Sequence, residues 1–301
     1  LGIRHYKITC RYNQYRTWQT STRQYTSGNN NTAVGYAMVS NLTGSSNTAV
    51  GLGALQINNS ASNNTALGFE AGYSNVSSNS NTSVGYQALY YNTSDLNTAV
   101  GFAAAQGVTT GTNVTAVGRQ TLTSTFTGDA AVALGSAALY NLQTGSNVVA
   151  LGVGSQFTNS SGSYNVSVGS DALRSNSTSP NNTAVGHEAA KFATGGYNTS
   201  FGYRAARGST TGTVSGQNHT AVGHEALVSF TTASSNTAIG YQSMYYTDTG
   251  GANVAVGHLS GHNIRDGESN VAVGYFALAA NQSGGNNVAI GREAIRGHNC
   301  C

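Results

Sequence analysis

Apolar positions along this chain come in short bursts rather than helical stripes, and the bursts repeat. A block reading Asn-Thr-Ala-Val-Gly-x-x-Ala-Leu returns with its glycine at positions 35, 51, 68, 85, 101, 118, 135, 152, 169, 186, 202, 223, 240, 257, 274 and 291. Consecutive glycines lie 16 or 17 residues apart, except for 21 between Gly202 and Gly223. The four extra residues fall in the polar stretch 210–217, which predicts an outward loop. The residue before each glycine is always apolar: Val in most copies, otherwise Leu67, Leu134, Leu151, Phe201, Ile239 or Ile290. Two positions before that residue stands Thr in ten copies and Val in six, and between the two lies Ala in thirteen and Ser in three (Ser83, Ser167, Ser200). Side chains alternate across a strand, so this is a strand with a β-branched and apolar face and an opposite face of small residues that meets something at close range.

Seventeen residues are too few for two helices, but suffice for one coil of a narrow solenoid with two or three short strands. The predicted fold is therefore all-β: a parallel β-solenoid of about sixteen 17-residue coils. Stacking at roughly 4.8 Å per coil gives a rod about 75–80 Å long in which each column forms a ladder of like residues. An Asn opens fifteen of the sixteen blocks, four residues before the glycine in twelve copies and one residue earlier in three (Asn113, Asn147, Asn218). Its amide can pair with those above and below at a corner.

Composition supports a packed structure. Of 301 residues 39% are apolar, 8% are charged, the formal net charge is +3, and there are 39 Gly and one Pro. Disorder would need fewer apolar residues and more net charge; collagen, a membrane-spanning helix and a coiled coil each need a pattern this chain lacks. The opening LGIRHYKITC has no initiating Met and no apolar signal-peptide core, and reads as the start of a processed or incomplete chain.

The NTAVG, NVAVG and NTAIG blocks resemble the SVAIG-type head repeats of trimeric autotransporter adhesins and similar runs in phage tail-fibre proteins. The resemblance covers residues 31 to about 295. It implies a left-handed parallel β-roll, usually three chains side by side, with the Val, Leu or Ile before each glycine filling the interior and the Ala or Ser packing against a neighbouring layer. The period here is longer than the family's, and neither a heptad stalk nor membrane-anchor strands are present.

The organisation read from the sequence is an N-terminal arm (1–28), the repeat domain (29–295) and a short tail (296–301). The arm carries Arg4, Lys7, Arg11, Arg16 and Arg23 with no acid, against eight basic and ten acidic residues elsewhere. It is also aromatic, and Arg4, Lys7, Tyr12, Tyr15 and Trp18 are candidates for an assembly strand added to the next subunit, the alternative being a cap on its own first coil. Nucleic-acid binding lacks a motif. Cys10 in the arm and Cys300 and Cys301 in the tail are candidates for a disulfide between adjacent copies; twenty extended residues reach about 70 Å, just short of the rod. Sequons in the variable turn, at Asn41, Asn58, Asn75, Asn92, Asn159, Asn176 and Asn281, are expected to face water and to carry covalent glycans if the producing cell glycosylates.

Enzyme chemistry finds little support. His187-Glu188 and His224-Glu225 begin like a zinc HExxH helix but lack the second His. His187, His224 and His258 share a column after the glycine, yet alternate with Tyr203 and Tyr241 about 10 Å apart, too far for a common metal. No catalytic residue, metal or cofactor is assigned. The sequence thus predicts a non-enzymatic structural subunit of an extracellular or cell- or virion-surface fibre, joined head to tail to further copies of itself, with no nucleic-acid or membrane partner. The alternative is a trimeric adhesin or tail-fibre shaft binding a cell-surface receptor, its Ala/Ser face at the three-fold interface. Ice binding is a third class, since a regular Thr column can match a lattice; against it stand the six Val in that column and its expected inward direction.

Overall fold

The computed structural model describes the backbone of residues 15–17 and all of residues 27–35 and 43–296. Its strands are β1 (Tyr15–Thr17), β2 (Thr32–Val34) and one further strand for each repeat, ending in β16 (Val271–Val273) and β17 (Val288–Ile290). All seventeen belong to one parallel sheet. Every coil pairs with the next in strict register: Thr48 with Thr65, Ala49 with Ala66, Val50 with Leu67. The long interval leaves this intact, because Thr199 pairs with Thr220 while residues 210–213 stand exposed as a loop. The fold is thus the parallel β-solenoid the repeat predicts. Each repeat contributes one strand of three or four residues, and the rest of the coil is turns whose backbones still bond from coil to coil, as Leu89 N–H does to the Ala104 carbonyl at 3.0 Å.

The glycine ends each strand at a corner where coils touch backbone to backbone. At Gly101 φ is 136° and a Cβ would lie 2.5 Å from the Gly118 carbonyl oxygen. Both the dihedral and the contact exclude a side chain.

The interior is the reverse of the expected one. The Ala and Ser of the strands point inward, with Ala49, Ala66, Ala99, Ala116 and Ala221 fully buried, whereas Val34, Leu67, Val100, Val117 and Val222 are each 37% exposed. The expectation that Val, Leu and Ile fill the roll and that Ala packs on a neighbouring layer is corrected. A coil this short leaves a thin interior, and the opposite wall already supplies Leu89, Leu122, Leu139, Leu173 and Leu227. Only a methyl or hydroxymethyl fits across from them. At one coil the two walls meet directly, Gln156 Nε2 donating to Ser167 Oγ at 2.8 Å.

The corners are closed by asparagine. Asn47 N–H donates to Asn31 Oδ1 at 2.9 Å, Asn47 Nδ2 donates to the Ala61 carbonyl at 2.8 Å, and Asn64 N–H in turn donates to Asn47 Oδ1 at 3.0 Å. The ladder residue is always four before the glycine. Asn113, Asn147 and Asn218 are not displaced members of it: they occupy the preceding left-handed position, with φ of 56–58°, and are exposed. Val114, Val148 and His219 stand in the ladder instead and are buried. Across the coils of Val114, Ala131 and Val148 the facing corner carries Val108, Phe126 and Leu142, so an amide-lined interior gives way to an apolar plug.

Candidate functional site

The structure brings together one extended surface, one ionic cluster and, among the described residues, the outer edge of β17, which no strand covers. The surface is the outward face of the sheet. Its first rank runs Thr32, Thr48, Thr65, Thr82, Thr98, Thr115, then Val132, Val149 and Val166, then Thr183, Thr199, Thr220 and Thr237, and finally Val254, Val271 and Val288. The Val/Leu/Ile rank lies two residues further along each strand. No member of either rank is charged.

Beside these ranks, one residue past the glycine, aromatic rings stack along the rod. Phe69, Tyr86 and Phe102 lie 5.1 and 5.0 Å apart, and His187, Tyr203, His224, Tyr241, His258 and Tyr275 continue the motif at 4.9–5.6 Å. Because the rings stack on one another, their faces are turned along the axis and only their edges reach solvent. Tyr203 separates His187 from His224, and among the described residues no three His, Cys, Asp or Glu gather as a metal site.

Charge is concentrated beside this column. Lys191 Nζ lies 2.7 Å from Glu188 Oε1 and 3.0 Å from Asp171 Oδ2; Arg174 bonds Asp171 at 2.6 Å and Arg204 Nε bonds Glu188 at 2.8 Å. Partial burial alone would raise the Glu188 carboxyl, but the hydrogen bonds from Lys191 and Arg204 outweigh it and hold it at about 2. Lys191 to Asp171 and Arg204 to Glu188 tie neighbouring coils together.

His219 is the one ladder position filled by a titratable group. Its ring is buried against Phe230 at 4.6 Å, edge to face; Nδ1 accepts the Asn236 N–H at 3.3 Å, and Nε2 is directed at the Ala233 carbonyl without a well-formed hydrogen bond. Burial pushes its pKa down to about 4.

The sequon column is not a surface. Asn58, Asn75, Asn92, Asn159, Asn176 and Asn281 are all buried, which corrects the expectation that they face water. Each folds its amide back on its own turn: Asn159 Oδ1 accepts the Gly162 N–H at 2.8 Å while Nδ2 donates to the Gly162 carbonyl at 3.0 Å, and Asn176 and Asn281 do the same with Ser179 and Gly284. The Nδ2 atoms that would carry sugar are enclosed in the corner, and no glycan coat is assigned to them. Asn41 lies outside the described residues.

Of the assembly residues, Tyr15 is in β1, which pairs parallel with β2 of its own chain, Tyr15 opposite Thr32 and Thr17 opposite Val34. Arg4, Lys7, Tyr12, Trp18, Cys10, Cys300 and Cys301 lie outside the described residues. At the other end of the ladder, Val288 and Ile290 are 64% and 70% exposed. Val271 N–H donates forward to the Asn287 carbonyl at 2.8 Å, so the equivalent Val288 N–H points off β17 along the axis. Compared with family models, curated proteins and solved structures, the chain matches none of them.

Proposed function

We propose that this protein is a structural subunit of an extracellular fibre, a rod that spans distance and stacks end on end with further copies of itself. The observation that supports this most directly is the unbroken register from Tyr15 to Ile290, which makes each coil the template for the next and, among the described residues, leaves β17 with forward-pointing backbone groups that no strand pairs. An open parallel edge pairs with whatever strand has the same geometry, and another copy of this chain has it. Repetition of such a heterologous contact gives a filament. The trimeric-shaft alternative no longer has its Ala/Ser contact, since those residues lie inside the coil.

The test is Val288→Pro, which removes the forward N–H donor and leaves the ladder to β16 untouched. Electron microscopy and light scattering of the wild-type protein should show filaments whose lengths are multiples of about 80 Å, and the variant should give shorter particles. A wild-type protein that stays a single rod at every concentration refutes the proposal.

A further inference from the structure

The outward sheet face has a property that end-on assembly does not use. Its two ranks form a two-dimensional array, repeating about every 4.8 Å along the rod and about 6.6 Å across it, two residues of extended strand. Of its 32 positions, 28 are Thr, Val or Ile, whose branched Cβ fixes the side-chain direction. Much of the second rank is exposed to a similar degree: Val34, Leu67, Val100, Val117 and Val222 are each 37% exposed, Ile239 38% and Leu134 39%, with Val288 and Ile290 of the last strand higher at 64% and 70%. In addition, among the described residues none of the ten rank threonines spends its hydroxyl on a protein partner, whereas off the face Thr93, Thr109, Thr158 and Thr231 all donate to carbonyls of the next coil.

We propose that this face binds ice, with the unbroken run Thr32 to Thr115 and the valine and leucine rank beside it as the binding plane. A dissolved solute needs a concave site with converging polar groups, and the two ranks hold only uncharged Thr, Val, Leu, Ile and Phe side chains on adjacent strands of one sheet. A second copy laid against it would have to pair its own threonine hydroxyls with these ten in exact register, at a cost of roughly 1–3 kcal/mol for each one left unpaired. Crystalline water can bond those hydroxyls at a fixed repeat while its cages sit against the neighbouring methyl groups. The inward direction that argued against ice in the sequence is reversed in the structure. The valines that interrupt the Thr rank at 132, 149 and 166 preserve its shape and lose only its hydroxyls.

The test is thermal hysteresis and ice-crystal shaping by the full chain. The wild-type protein should depress the freezing point below the melting point and facet growing crystals. Placing two charged side chains in the plane, Thr82→Lys with Thr98→Lys, should lower the hysteresis by at least about tenfold. Thr110→Lys, exposed in the turn across the coil, should leave it unchanged, and circular dichroism checks that both variants fold. Absence of hysteresis and shaping in the wild type overturns the proposal, as does equal activity in the two variants. A particle mass showing side-by-side oligomers without hysteresis assigns the face to a second copy instead. End-on filaments leave the face open, so failure here and failure of the fibre reading are separate outcomes.

Discussion

Replacing His219 by Asn should remove an acid-labile point from the rod. In the wild type the imidazole is neutral and buried, with its pKa lowered from 6.5 to about 4. Protons therefore favour the unfolded chain: the contribution of neutral His219 is complete above pH 6.5 and is lost as pH falls through about 4. At about 1.4 kcal/mol per pH unit, that interval is worth about 3 kcal/mol in all, of which about 2 kcal/mol is gone by pH 5. Asparagine at this position has nothing to titrate, and its Nδ2 is placed to reach the Ala233 carbonyl, as Asn236 reaches Gly250 at 2.9 Å. At pH 7 the variant should lie within about 1 kcal/mol of the wild type, the new hydrogen bond offsetting the lost contact with Phe230. The assay is urea unfolding of both proteins at pH 7, 5 and 4. The account requires the wild type to lose stability relative to His219→Asn by the amounts above. Parallel losses in the two proteins would show that His219 is not desolvated in the folded state, and the reasoning would fail.

Other consequences are equally direct. Gly101→Ala adds a Cβ 2.5 Å from the Gly118 carbonyl oxygen at a φ of 136°, and should cost at least about 3 kcal/mol in chemical denaturation. Asn253→Ala leaves the Asn270 N–H and the Gly267 carbonyl without partners and should cost about 3 kcal/mol by the same measurement. Ala252→Asn, at a φ of 55° in a column where asparagine already fills many coils, should stabilise by up to about 1 kcal/mol. Because the folded-state pKa of Glu188 is held at about 2, its contribution is complete above pH 4.5 and is lost as pH falls through about 2. Glu188→Gln should accordingly be less stable than wild type at pH 7, with the gap closing by pH 2.

The repeat made the coil period, the parallel register and the outward loop after Gly202 legible, because each follows from spacing alone. Direction was harder: strand alternation separates two faces without saying which is inside. The signal that could have decided it was size tolerance. The column that admits Phe201 beside Val185 and Val222 cannot be a close-packed interior, whereas one restricted to Ala and Ser in all sixteen copies can. The sequon column misled for a related reason, since polar Asn in a turn suggests exposure. A clue lay in parallel substitution: where the ladder changes to Val114, Ala131 and Val148, the other column changes to Val108, Phe126 and Leu142, as two walls of one interior must. His219 gave no warning, because a lone histidine before Thr220 looks like any surface residue until the ladder is built.

The central claim, that the chain winds around one axis in stacked coils, is tested most directly by small-angle X-ray scattering of the dilute, unassembled protein. A rod should give a maximum dimension of about 80 Å and a scattering profile characteristic of an elongated particle. A radius of gyration near 19 Å with a maximum dimension of about 50 Å, the values for a globule of this length, would contradict it.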